Sequence, residues 1–178
     1  NVDATITNSQ IGYANFLSDA TITNSEIGYV NLDGGTPTLT GNTLTDAAPL
    51  RTSDPDYLNT SLIAGNTYSA ADPAVQVQGT LDADKTFETI DGQVSTFQLT
   101  GALTVPAGVT LMLRPDATLM LGPGTNPYLD VDGALLGLGA DVLGIAYGGA
   151  GSISLQGGQV NMATGYPGFT GSLNLADV

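Results

Sequence analysis

The segment Asp3-Ala-Thr-Ile-Thr-Asn-Ser-Gln-Ile-Gly-Tyr13 recurs as Asp19-Ala-Thr-Ile-Thr-Asn-Ser-Glu-Ile-Gly-Tyr29 with one substitution. A unit this short cannot bury a core alone, so near-identical copies must stack on one another. Two looser copies follow, Thr38-Leu-Thr-Gly-Asn-Thr-Leu44 and Leu62-Ile-Ala-Gly-Asn-Thr-Tyr68. Aligned, they give an apolar column Ile6, Ile22, Leu39, Ile63 and a second column Ile11, Ile27, Leu44, Tyr68. Between them runs a polar column Ser9, Ser25, Asn42, Asn66. Thr5 and Thr7 flank Ile6, the alternation of a strand with one buried face. The Asn-Ser and Gly-Asn pairs between strands are turn chemistry, because Asn and Gly tolerate positive φ.

The second half follows the same logic with longer strands. Leu103-Thr-Val105, Val109 to Leu113 and Ala117 to Leu121 are separated by Pro106-Ala-Gly108 and Arg114-Pro-Asp116, so three strands and three turns make a coil. Stacking these units predicts an all-β chain, a right-handed parallel β-helix, with handedness taken from the general crossover preference. At roughly 22 residues per coil there are about eight coils, and a spacing of about 4.8 Å gives a rod on the order of 40 Å long. One domain spans 1–178: short-repeat coils over 1–70, an irregular coil over 71–102 and long-strand coils over 103–178, the later ones starting near Leu129, Ile153 and Leu173. The Ser/Asn column is expected to form a hydrogen-bonded ladder inside the stack.

Charge narrows the partners. The 17 acidic residues outweigh Arg51, Lys85 and Arg114 and leave a net charge of −14. No basic stripe exists for a phosphate backbone, so neither nucleic acid nor an anionic membrane surface is expected as a partner. Such an acidic excess fits a salty, calcium-containing extracellular or cell-surface setting. Cysteine is absent, which removes disulfides and thiolate metal sites. No apolar stretch is long enough to insert into a membrane.

The run from Leu103 to Gly122, followed by Leu129-Asp-Val-Asp-Gly-Ala-Leu135, resembles a segment common in bacterial secreted β-helix proteins of the pectin-lyase-like superfamily. The resemblance implies the fold and extends over most of the chain. It does not choose a function, because that superfamily holds pectate lyases, polygalacturonases, adhesins and surface rods. Arg114 stands where the related segments usually carry an acidic residue.

No enzyme is expected. With no histidine, Ser/Cys–His catalysis and most zinc sites are excluded. The acidic and histidine motifs that the polygalacturonase resemblance would imply are missing, and a lyase-type Arg or Lys base has three candidates only. Three Asp-x-Asp pairs, Asp54/Asp56, Asp82/Asp84 and Asp130/Asp132, place two carboxylates on one strand face. Ca2+ is the one cofactor they suggest, with Asp130 and Asp132 the best placed, against the plainer reading of solvent-facing turn residues. Tyr13 and Tyr29 are equivalent positions one repeat apart and should stack, offering either packing or a surface for sugar rings. The expected role is a non-catalytic structural or adhesive rod that joins neighbouring segments or associates end to end as a filament subunit. The alternative is a polysaccharide-binding or polysaccharide-degrading segment.

Overall fold

The computed structural model describes residues 4–35, 37–124, 126–162 and 169–178, and it is a β-solenoid of about seven turns. The first sheet stacks Ala4–Thr7, Ala20–Thr23, Thr38–Thr40 and Ile63–Ala64 in parallel. In it Ile6 pairs with Ile22, Ile22 with Leu39 and Leu39 with Ile63. The second column follows suit, Ile11 to Ile27 to Leu44 to Tyr68. Ile22, Ile27, Leu39 and Leu44 are fully buried. Register holds because a slip of one residue would turn the flanking threonines into the core.

A third sheet begins where the first ends: Lys85–Phe87, Thr110–Leu113, Ala134–Leu138, Ser152–Gln156 and Ser172–Ala176. The long second sheet runs beside both, and its strands fork. The two halves of Glu26–Leu32 pair with Thr43–Leu44 and Leu50–Thr52. Likewise Thr96–Val105 pairs with Thr118–Leu121 and then with Tyr128–Val131. Such strands turn a corner within one element. At the first corner a Cβ on Gly28 would collide with the Gly12 carbonyl, so glycine is required there.

The structure adds detail to the sequence expectation. The turns number about seven, close to the eight that the repeat length gives. Leu129 does stack on Leu103, but the next in that column is Tyr147; Ile153 and Leu173 continue the Leu111–Leu135 column on another face. The region 71–102 holds one of the longer strands, Ala74–Thr80, and the start of another, Thr96–Val105. Their alternation, with Val75 and Val77 buried and Gln76 outward, is hidden in the sequence by the surrounding Asp-Pro and Asp-Gly turns.

The polar column forms the expected ladder. The Ser9 amide donates to Ser25 Oγ at 3.1 Å, the Ser25 amide to Asn42 Oδ1 at 3.0 Å and the Asn42 amide to Asn66 Oδ1 at 3.0 Å. Asn42 Nδ2 donates to the Ile22 carbonyl and Asn66 Nδ2 to the Leu39 carbonyl. Before each rung the backbone is left-handed, at Asn8, Asn24, Gly41 and Gly65. One further rung closes the ladder. Asp91 and Gly92, both at positive φ, form the tight turn between Ile90 and Gln93. The Asp91 carboxylate accepts from the Gly65 amide at 2.7 Å, the Asn66 amide at 3.2 Å, Asn66 Nδ2 at 3.1 Å and the Tyr68 hydroxyl at 3.1 Å. Gln93 completes the cap, its Oε1 accepting from the Tyr68 amide and its Nε2 donating to the Asn66 carbonyl. Two side chains thus stand in for the backbone of a coil at the edge where the first sheet stops. Among the described residues no buried side-chain polar atom lacks a partner.

Asp91→Ala strips the acceptor from four donors at a half-buried edge. Since one hydrogen bond to a charged group is worth about 1.5–3 kcal/mol and water replaces part of the loss, the variant should unfold about 2–4 kcal/mol more easily in urea. Gln93→Ala should cost clearly less. A pH titration checks the same junction. Burial, and then the neighbouring Asp91 charge, raise the Tyr68 phenol above its ordinary value of 10.0. The folded chain therefore holds this proton more tightly than the unfolded chain, and stability present below pH 10 is lost as pH rises beyond it. Melting temperature should fall more steeply above pH 10 in the wild type than in Tyr68→Phe.

Candidate functional site

The outer face of the long sheet carries the chemistry nearest to a ligand surface. Asn15, Asn31, Arg51, Gln76 and Gln98 occupy successive rungs of one outward column. Asn31, Arg51 and Gln76 line a shallow polar groove of about 160 Å³, with Asp33, Ser53 and Gln78 on its other side. The amide side chains at four of these five rungs offer donors and acceptors to a neutral polar ligand.

Beside the groove Tyr13 and Tyr29 stack as expected, with centroids 5.6 Å apart and planes 13° from parallel. Arg51, from the next coil, lies over the Tyr29 ring at 3.8 Å from its centroid. The guanidinium also binds Asp46 at 2.7 Å and donates through Nε to the Ala48 carbonyl. Tyr29 is therefore sandwiched between Tyr13 and a cation. Tyr13, 58% exposed, keeps an open face. The pair reads as a packed stack terminated by a cation–π contact, with room for a sugar ring at Tyr13 alone.

The acidic residues have a different task. Asp33 accepts from the Ser53 amide at 2.8 Å, Asp56 from the Asp82 amide at 2.6 Å and Asp84 from the Thr110 amide at 2.8 Å. Asp132 accepts from the Ala150 amide at 2.9 Å and Asp141 from the Gln159 amide at 2.7 Å. Each bond joins one coil to the next at a corner, where the parallel ladder leaves an amide without a backbone acceptor. Asp54 caps the short helical turn Pro55–Tyr57 by accepting from the Asp56 amide. Asp130 lies on the strand Tyr128–Val131 and Asp132 on the following turn, so the pair is split between strand and corner. Among the described residues no three acidic side chains gather as a metal-binding group.

Lys85 heads the third sheet in the column of Leu111. Its ammonium donates to the Asp56 carbonyl at 3.1 Å. Burial pulls its pKa below the usual lysine value while Asp56 and Asp54 oppose that shift. Asp91, Gln93, Asp33 and Asp141 went unnoticed in the sequence, and Asp56, Asp84 and Asp132 stood out only as members of Asp-x-Asp pairs. The Asp91-Gly92 dipeptide, a strong tight-turn signal, was the cue available for the first of them.

Comparison with known proteins gave no match, whether to a family model, a curated protein or a solved structure. The metal reading is tested by Asp130→Asn/Asp132→Asn. With Asp132 already engaged by a backbone amide, added Ca2+ should shift the melting temperature of wild type and variant equally. A calcium-dependent rise confined to the wild type would restore the site.

Proposed function

We propose that this chain is part of a non-catalytic extracellular rod that lengthens by stacking coils head to tail, in the manner of the surface proteins of the pectin-lyase-like superfamily. The observation that carries the reading is the last described coil. Leu173 and Leu175 stand in register with Ile153 and Leu155, which are each 1% exposed, yet they are 43% and 40% exposed themselves. Among the described residues nothing pairs with the outer edge of Ser172–Ala176. At the opposite end the half-buried Ile6 and Ile11 continue columns that are fully buried one coil further in. Among the described residues the first and last coils thus present strand edges and apolar side chains aligned with the core, which suits a heterologous contact that repeats without closing. The acidic composition fits an extracellular medium.

A second reading, a polysaccharide-binding segment, draws on the amide-lined groove and the free face of Tyr13. A glycan array distinguishes it: binding abolished by Tyr13→Ala together with Gln76→Ala would favour it over the rod. For the rod, sedimentation and negative-stain imaging should show linear end-to-end assemblies at high protein concentration. Leu173→Lys/Leu175→Lys should remain as single short particles with an almost unchanged melting temperature, because both side chains are solvent-facing in the isolated unit. Short particles of wild type at every concentration and ionic strength would refute end-to-end growth.

A further inference from the structure

Of the three cations in the chain, two are engaged: Arg51 with Asp46 and Tyr29, and Lys85 with the Asp56 carbonyl. Arg114 is exposed and has no side-chain partner among the described residues. It lines an open groove of about 300 Å³ on the outer face of the third sheet. The groove floor is aliphatic. Met112 and Leu136 pair across adjacent strands and are 36% and 38% exposed, and Leu138 at the rim is 60% exposed. Contiguous exposed aliphatics on so acidic a chain mark a contact surface.

The same corner carries an anion. Asp116 follows Arg114 across Pro115, its backbone amide donates to the Gly139 carbonyl beside Leu138, and its carboxylate, like Arg114, has no partner among the described residues. One unpaired cation therefore lines the aliphatic groove, and one unpaired anion lies two residues along the same corner. We propose that this face binds a second copy of the chain in a two-fold, side-by-side contact, with Met112, Leu136 and Leu138 of the two copies interdigitating and Arg114 of each copy meeting Asp116 of the other. A two-fold axis makes this patch complementary to itself, which neither an anionic nor a cationic ligand would be. The groove is small, so pairing is weak and concentration-dependent. It lies on the flank of the rod and does not depend on end-to-end growth.

Sedimentation equilibrium of four proteins tests it: wild type, Arg114→Glu, Asp116→Lys and the double reversal. Each single reversal sets like charges against each other and should weaken dimerisation by at least about tenfold, whereas the double reversal should restore it to within about threefold of wild type. Asp116 sits at φ +69, so Asp116→Lys strains its turn; if that variant misfolds, Arg114→Glu carries the same prediction alone. Because the chain has no cysteine, Leu136→Cys provides an independent readout. Under mild oxidation it should form a disulfide dimer, while Asn15→Cys on the opposite sheet should not. Single reversals leave the ends untouched, so any linear assemblies should persist in them. A monomeric wild type, single reversals without effect, or a double reversal that stays monomeric would each overturn the proposal.

Discussion

Parallel, in-register pairing between successive coils is the constraint on which the rest of this structure depends. A parallel strand cannot meet its neighbour through a tight hairpin, so the chain must travel round the rod before it pairs. The residues that then meet are equivalent positions of consecutive coils. Aliphatic positions therefore stack into a dry interior, and a polar position inside must repeat as well. Serine and asparagine can fill such a column because each accepts from the coil on one side while donating to a nearby carbonyl. A carboxylate only accepts and returns no bond to a carbonyl, and Asp91 stands at the end of the ladder.

The same constraint accounts for much of the acidic composition. Straight strands satisfy their own amides, but corners do not, and at five of them an aspartate of one coil takes the amide of the next. Side-chain acceptors can reach where the backbone has turned away. Asp56, Asp84 and Asp132, one member of each Asp-x-Asp pair, are occupied in this way, each by a backbone amide of the next coil. Lys85 has a related role at the internal edge where the third sheet starts. Its stem continues the Leu111 column while its ammonium reaches the preceding loop, so the edge strand ends in a charge and not in an open apolar face.

The junction between the two halves shows how one sheet gives way to another without breaking the core. Phe87 and Phe97, fully buried, stack with centroids 4.4 Å apart and planes 5° from parallel, and fill the space beside the Ile90–Val94 turn. The polar cap of Asp91 and Gln93 seals the finished sheet on one side while the aromatic pair seeds the next on the other. Loss of the cap would leave strand edges open in mid-rod, a worse fault than an open end, because no further coil can reach them.

The amino-acid sequence by itself determined the parts of this fold that repeat. Ile6, Ile22, Leu39 and Ile63, and Ser9, Ser25, Asn42 and Asn66, could be aligned by type alone, since stacked coils demand like residues at like positions and two near-identical copies set the frame. The tertiary structure alone decided what happens once per chain. Spacing could not tell whether Ile153 follows Leu129 or Leu135, because coil length varies and each strand alternates in the same way. Nor could it show that Arg51 would cover Tyr29, that Asp91 would close the ladder, or that Arg114 would line one groove with Leu136 and Leu138. Those contacts join residues of unlike type across different coils, and nothing in a repeating pattern encodes where two non-repeating side chains will meet.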